Sequence, residues 1–178
     1  MRHCSGIIIL LFVLSFLLLG FGLPGNIQKK VDKEVNKTFE IEEFNLVAVA
    51  VPNSLNLQLP VKITADNFFR VEVSDLLIGY AFVDKAPSKT AEFDYLVLFN
   101  GDLEIVHSKV LIYREEYGGE IGSKRWLKQF IGTSGYDRVN HETNIDGISG
   151  ATISVRSMTN SMDNLLQTIG LLQENEVL

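Results

Sequence analysis

The chain has 178 residues, a formal net charge of −6, 46% hydrophobic side chains and 21% charged ones. That length accommodates one domain of ordinary size with a short appendage, and the absence of a Lys/Arg cluster or basic stripe argues against a nucleic-acid partner. Cys4 is the single cysteine, so an intrachain disulfide or a cysteine-ligated metal or iron–sulfur site is excluded, and His3, His107 and His141 stand apart in sequence, so no metal site is expected.

Met1-Arg2-His3-Cys4 leads into an apolar run from Gly6 to Leu23, with no charge between Arg2 and Lys29. As a helix this run measures roughly 27 Å, against a bilayer hydrocarbon core of about 30 Å. Two readings compete. A cleaved signal peptide would use Arg2 as its n-region and Gly20-Phe21-Gly22 as a small-x-small cleavage site; a retained anchor would use the same run as one transmembrane span. The long apolar block and the weakness of glycine as a cleavage residue favour the anchor. The flanking charges set orientation poorly, and the signal-like layout places the bulk of the chain on the extracytoplasmic side of the cell membrane.

Pro24-Gly25-Asn26 breaks the helix, which gives a first segment of residues 1–26. Ile27 to Glu43 is highly charged and reads as a linker or a short amphipathic helix, within a membrane-proximal segment of residues 27–67. A globular domain is expected over residues 68–178. Leu46 to Val51 reads as a strand ending at Pro52. Phe68–Val73 and Leu77–Val83 are further strands around a Ser74-Asp75 turn signal. Phe93–Phe99 and Leu103–His107 flank Asn100-Gly101-Asp102, which predicts an antiparallel hairpin through a type I′ turn, with the second strand running on through Tyr113.

After Arg114 a loop carries Gly118-Gly119-Glu120. Ser123 suits the N-cap of a short helix over Lys124–Ile131, with Gly132 just past its end. Thr133–Glu142 is a polar loop. Val155, Met158, Met162, Leu165, Leu166, Ile169 and Leu172 recur at spacings of three and four, an amphipathic helix over about Ile153–Leu172. Strands followed by helices predict an α+β fold with an antiparallel sheet, preceded by one N-terminal transmembrane or signal helix.

The chemistry concentrates at Asp146-Gly147-Ile148-Ser149-Gly150-Ala151-Thr152. A helix starting near Thr152 presents unpaired N–H groups and a positive dipole end, which suit a phosphate. Gly147, Gly150 and Ala151 keep bulk away from it. Threonine alone is a poor nucleophile, so Thr152 reads as an acceptor for a modifying enzyme. Asp-Gly, Ser-Gly and a threonine before a helix also suit an ordinary loop-to-helix junction. The segment is neither a P-loop nor a dinucleotide fingerprint, and it fails the serine-hydrolase elbow, because glycine directly follows Ser149.

These seven residues resemble the Asp-x-x-Ser/Thr-Gly-Ala-Thr signature of the FMN-binding domain family, which includes the G subunit of the Rnf electron-transport complex and the C subunit of the sodium-pumping NADH:quinone oxidoreductase. The resemblance implies that Thr152 carries FMN through a phosphoester. It marks Asp146, Ser149, Gly150 and Ala151 as recognition positions for a separate, Mg²⁺-dependent flavin transferase that works outside the cytoplasm and takes FMN from FAD. Tyr113 to Ile121, with Trp126 and Gln129-Phe130, is similar to the family's upstream Gly-Gly segment, so Gly118, Gly119, Glu120, Tyr117 and Trp126 are further cofactor-binding expectations. Tyr113, Tyr117 and Trp126 are ring-packing residues on this reading or else ordinary core; Lys124 and Arg125 are phosphate attractors or else solvated charges. The resemblance covers about Phe68 to Leu172. It implies a membrane-associated electron-transfer flavoprotein, rather than a stand-alone catalyst, with an electron donor and acceptor still to be identified. The competing reading is a non-redox extracytoplasmic module that binds a ligand or partner without covalent cofactor.

Overall fold

Seven consecutive residues of one strand, Phe93 to Phe99, are buried. Side chains alternate between the faces of a strand, so such a run requires cover on both sides of the sheet. The computed structural model, which describes residues 22–178, supplies it. Its elements in chain order are α1 (Gly25–Phe39), β1 (Asn45–Ala48), α2 (Asn53–Asn56), β2 (Phe68–Val73), β3 (Leu76–Pro87), β4 (Glu92–Asn100), β5 (Ile105–Ile112), a 3₁₀ turn (Gly119–Gly122), α3 (Lys124–Leu127), a second 3₁₀ turn (Lys128–Phe130) and α4 (Thr152–Glu174). The five strands form an antiparallel meander in the order β1-β2-β3-β4-β5, so the fold is α+β.

Phe93, Tyr95, Val97 and Phe99 of β4 face α4, where Val155, Met158, Met162, Leu165, Leu166, Ile169 and Leu172 complete the larger core. Leu96 and Leu98 face the other way, onto Ile27, Val31 and Val35 of α1. Those three lie at i, i+4 and i+8, one stripe of an otherwise charged helix. Val31 and Val35 are fully buried, each worth about 1.5–3 kcal/mol relative to exposure. Of the two readings of Ile27 to Glu43, linker or short amphipathic helix, the helix is the one found, and the strand expected over Leu46 to Val51 is the edge strand β1, which pairs with β2 from Asn45↔Glu72 to Ala48↔Phe69.

Two turns exchange roles relative to expectation. Ser74 and Asp75 both have positive φ (49° and 65°) and join Val73 to its partner Leu76, so the type I′ geometry lies there. At Asn100-Gly101-Asp102 the positive φ (63°) falls on Leu103 instead of Gly101. Asn100 is the cause: its carbonyl accepts from Leu103 N–H at 3.1 Å, and its side-chain Oδ1 accepts from Asp102 N–H and Glu104 N–H at 3.0 and 2.9 Å. The turn is a residue longer than Asn-Gly alone suggests, and β5 begins at Ile105. The apolar run from Gly6 lies, up to Phe21, outside the described residues. Among the described residues no helix is long and apolar enough to cross a membrane.

The loop 133–142 is polar, as expected, and is pinned to α4 from both ends. Arg138 donates twice to Asp163, at 2.7 and 2.6 Å, and Val139 N–H donates to the same carboxylate at 3.1 Å. The guanidinium hydrogen bonds hold Asp163 below the usual carboxylate range. At the other contact Gly135 and Gly170 meet backbone to backbone; a Cβ on Gly170 would lie 2.7 Å from the Gly135 carbonyl oxygen.

Candidate functional site

Helix α4 starts at Thr152 with Ala151 in the N-cap position and no side chain capping it. Among the described residues the first turn's N–H groups before Val155 have no acceptor, whereas Val155 N–H reaches Ala151 O at 2.9 Å. A missing cap forgoes about 1 kcal/mol of helix stability and leaves donors aimed outward. Ala151 is buried, while Thr152 and Ile153 are exposed. Gly150, at φ 82°, turns the chain into the helix through a conformation that disfavours any residue with a Cβ.

The signature loop is held from below. Trp126, 4% exposed, donates from Nε1 to the Asp146 carbonyl at 2.7 Å, and Asp146 N–H donates to Gln129 Oε1 at 2.8 Å. Ser123 caps α3 as expected, accepting from Trp126 N–H, and so fixes the indole. Trp126 packs edge-on against Phe130, centroids 5.4 Å apart. The indole thus positions the loop from within the core.

The Gly-Gly segment comes to the same place. Gly118 has φ 85°, and a Cβ there would lie 2.7 Å from Tyr113 Oη and 3.5 Å from the Ala151 Cβ. Tyr113 leans on Phe93, centroids 5.9 Å apart. Its hydroxyl donates to the Tyr117 carbonyl at 2.9 Å and lies 3.0 Å from Ser154 Oγ. One phenol therefore ties the Gly-Gly loop to the first turn of α4.

Thr152 stands where two clefts meet. One, of about 320 Å³, is lined by Lys89, Tyr113, Glu115, Tyr117, Gly118 and the start of α4. Its acid is already engaged: Glu115 accepts from the Ser88 hydroxyl and from Thr90 N–H and Ala91 N–H. The Ser88 hydroxyl first, then the Thr90 amide, hold its carboxyl below the usual carboxylate range. The other cleft, of about 400 Å³, runs along α4 past Ile153, Arg156, Ser157, Asn160, Ser161 and Asn164, with Pro87 as its opposite wall. Arg156 donates from Nε to His141 Nε2 at 3.1 Å, which orients the guanidinium and leaves its terminal nitrogens available.

Residues 90–167 match the model of the FMN-binding domain family. Over this stretch the chain is similar to that family. No curated protein matches the chain. The matched stretch begins on the turn before β4 and ends within α4, so it contains the Gly-Gly loop, the signature and both clefts except for Pro87 and Lys89. α1 and β1–β3 lie outside it, although they complete the same sheet. FMN is the cofactor that this match supports, and the donors fit its phosphate: an uncapped helix N-terminus, with Lys89 on one side of Thr152 and Arg156 on the other.

The expected site residues fall into three groups. Thr152, Ala151, Gly150, Gly118 and Tyr117 line the smaller cleft together. Asp146 and Ser149 are exposed on the loop leading to it, and Gly119 and Glu120 are exposed beside it. Trp126 lies in the core. Lys124 lines a different groove, with Lys37, His107 and Lys128, remote from Thr152. His107, on β5, pairs with Glu34 of α1 at 3.0 Å. Sequence reasoning did not single out Arg156, Asn160 and Asn164. Their signal was present as the i+4 series that begins at Thr152.

Proposed function

We propose that this protein is a membrane-associated, extracytoplasmic electron-transfer flavoprotein whose FMN is esterified through its phosphate to Thr152. The observation that carries the reading is an exposed threonine hydroxyl at the uncapped N-terminus of a 23-residue helix, at the junction of two clefts. When bound, FMN supplies the redox chemistry. The chain's residues orient it and screen it.

Esterification forms the Thr152 Oγ1–phosphorus bond and breaks the pyrophosphate bond of FAD, with AMP as the leaving group and the hydroxyl proton passing to a base. The chain's nearby bases are occupied: His141 accepts from Arg156, and Glu115 accepts from Ser88, Thr90 and Ala91. A separate flavin transferase with Mg²⁺ therefore supplies activation. The Asp146 side chain and Ser149, exposed on a loop whose backbone is braced by Trp126 and Gln129, suit recognition by that enzyme. Retention at the membrane is assigned to the apolar run before Leu23, and the electron donor and acceptor are placed at the membrane with it.

Intact mass after co-expression with a flavin transferase and export is the test. The chain is expected to gain one FMN less water on the peptide containing Thr152, and Thr152→Ala to gain nothing. An unmodified peptide at that position in the exported wild-type protein would overturn the reading and leave a non-redox binding module in its place.

A further inference from the structure

The two clefts at Thr152 differ in what their polar groups are doing. In the smaller one, the Tyr113 hydroxyl, Ser154 and Glu115 are all bonded within the protein. In the larger one, Ser157 Oγ is buried without a partner, and Asn160 and Asn164 project exposed side chains that make no internal hydrogen bond among the described residues. Buried polar groups are nearly always satisfied, so an orphan hydroxyl beside uncommitted amides marks a surface prepared for a polar ligand.

The larger cleft also has a direction. Thr152, Arg156, Asn160 and Asn164 follow one another at i+4 and form a single line on α4. Twelve residues of helix give it a length of about 18 Å. Thr152 stands at its open end. The next position in the series, Thr168, is buried and accepts from Val61 N–H at 3.0 Å, and at that end Ser161 and Asn164 also line an adjoining cleft with Pro60, Val61 and Asp84. Ile153 and Pro87 provide apolar walls.

We infer that the isoalloxazine of a flavin held at Thr152 lies in the larger cleft, along α4, with its pyrimidine edge on Asn160 and Asn164. The inference rests on attachment at Thr152. The edge presents carbonyl acceptors on either side of an N–H donor, and a carboxamide offers both a donor and an acceptor. Arg156, oriented by His141, stands between the phosphate at one end and the ring at the other and supplies positive charge to both. The opposite cleft offers no carboxamide, and its carboxylate, Glu115, is already committed to Ser88, Thr90 and Ala91.

Full-length protein loaded by the transferase separates the two placements. The double variant Asn160→Ala/Asn164→Ala is expected to keep the flavin mass on Thr152, lose the visible circular dichroism of the bound flavin and show several-fold greater quenching of flavin fluorescence by iodide. Tyr117→Ala, in the opposite cleft, is expected to change neither signal. Both asparagines are exposed helix positions, where alanine favours the helix, so the double variant retains the fold; a far-UV melt checks this. Unchanged signals in the double variant, or the changes arising from Tyr117→Ala instead, overturn the placement while the mass on Thr152 stands. Loss of that mass from the wild type overturns attachment, and the placement with it.

Discussion

Single atoms decide how closely the Gly-Gly loop approaches the start of α4. Gly118 combines a φ of 85° with a Cβ position 2.7 Å from Tyr113 Oη, so two independent penalties oppose any side chain. A non-glycine residue in the left-handed region costs about 1–2 kcal/mol, and displacing the phenol adds the loss of its hydrogen bond to Tyr117, about 1 kcal/mol. Gly118→Ala is therefore expected to lower stability by about 2–3 kcal/mol. Urea unfolding measures it, and an unchanged midpoint would show that the loop is free to move away from Ala151. Gly119, whose Cβ would make only ordinary contact with Tyr113 at 3.6 Å, should tolerate alanine far better. The pair Gly118-Gly119 is visible in the sequence as a motif, yet the two glycines have different reasons, and only the fold separates them.

At the scale of elements, α4 depends on what packs across it. Gly170 is a poor helix former at a buried helical position, and by propensity alone alanine would stabilise it by about 1 kcal/mol. The contact with Gly135 reverses the sign, because the added Cβ would press on a backbone carbonyl at 2.7 Å, and backbone does not yield as a flexible side chain does. Gly170→Ala is expected to lower the melting temperature, while Gly25→Ala, where a Cβ meets nothing within 4 Å, is not. The apolar period of α4 was legible in the sequence, and every residue of that stripe is buried. The polar line on its other side was equally present in the sequence. It went unread because polar residues on a helix need no explanation until a wall such as Pro87 turns the surface into a groove.

At the scale of the whole fold, the described residues form a sheet with a long helix on each face, α1 on one and α4 on the other. A chain starting at Phe68 would lack α1 and β1, uncovering Val71, Ala81, Val83, Leu96, Leu98 and Leu111. Exposing large apolar side chains costs about 1.5–3 kcal/mol each, against a net stability of about 5–15 kcal/mol for a typical domain. Such a truncation is expected to be insoluble or to melt without cooperativity, and a sharp two-state melt of the fragment would refute this. The same reasoning explains why residues 27–43 read as either a linker or a short amphipathic helix. Ile27, Val31 and Val35 are buried, Phe39 and Ile41 pack partly buried beside them, and five apolar positions among so many charges form a weak pattern until a sheet receives them.

Local chemistry settled much in advance. Alternating and continuous apolar runs specified the strands, three-and-four spacing specified α4, Ser123 specified a cap, and the run from Asp146 to Thr152 carried the family resemblance, since each of these depends on neighbours in the chain. Two things waited for the tertiary structure: that the sheet is covered on both faces, and that Thr152 faces two clefts with opposite degrees of internal hydrogen bonding. Each arises between residues far apart in sequence, such as Pro87 with Asn160 or Tyr113 with Ser154, and proximity of that kind is created by the packing of the sheet against α4.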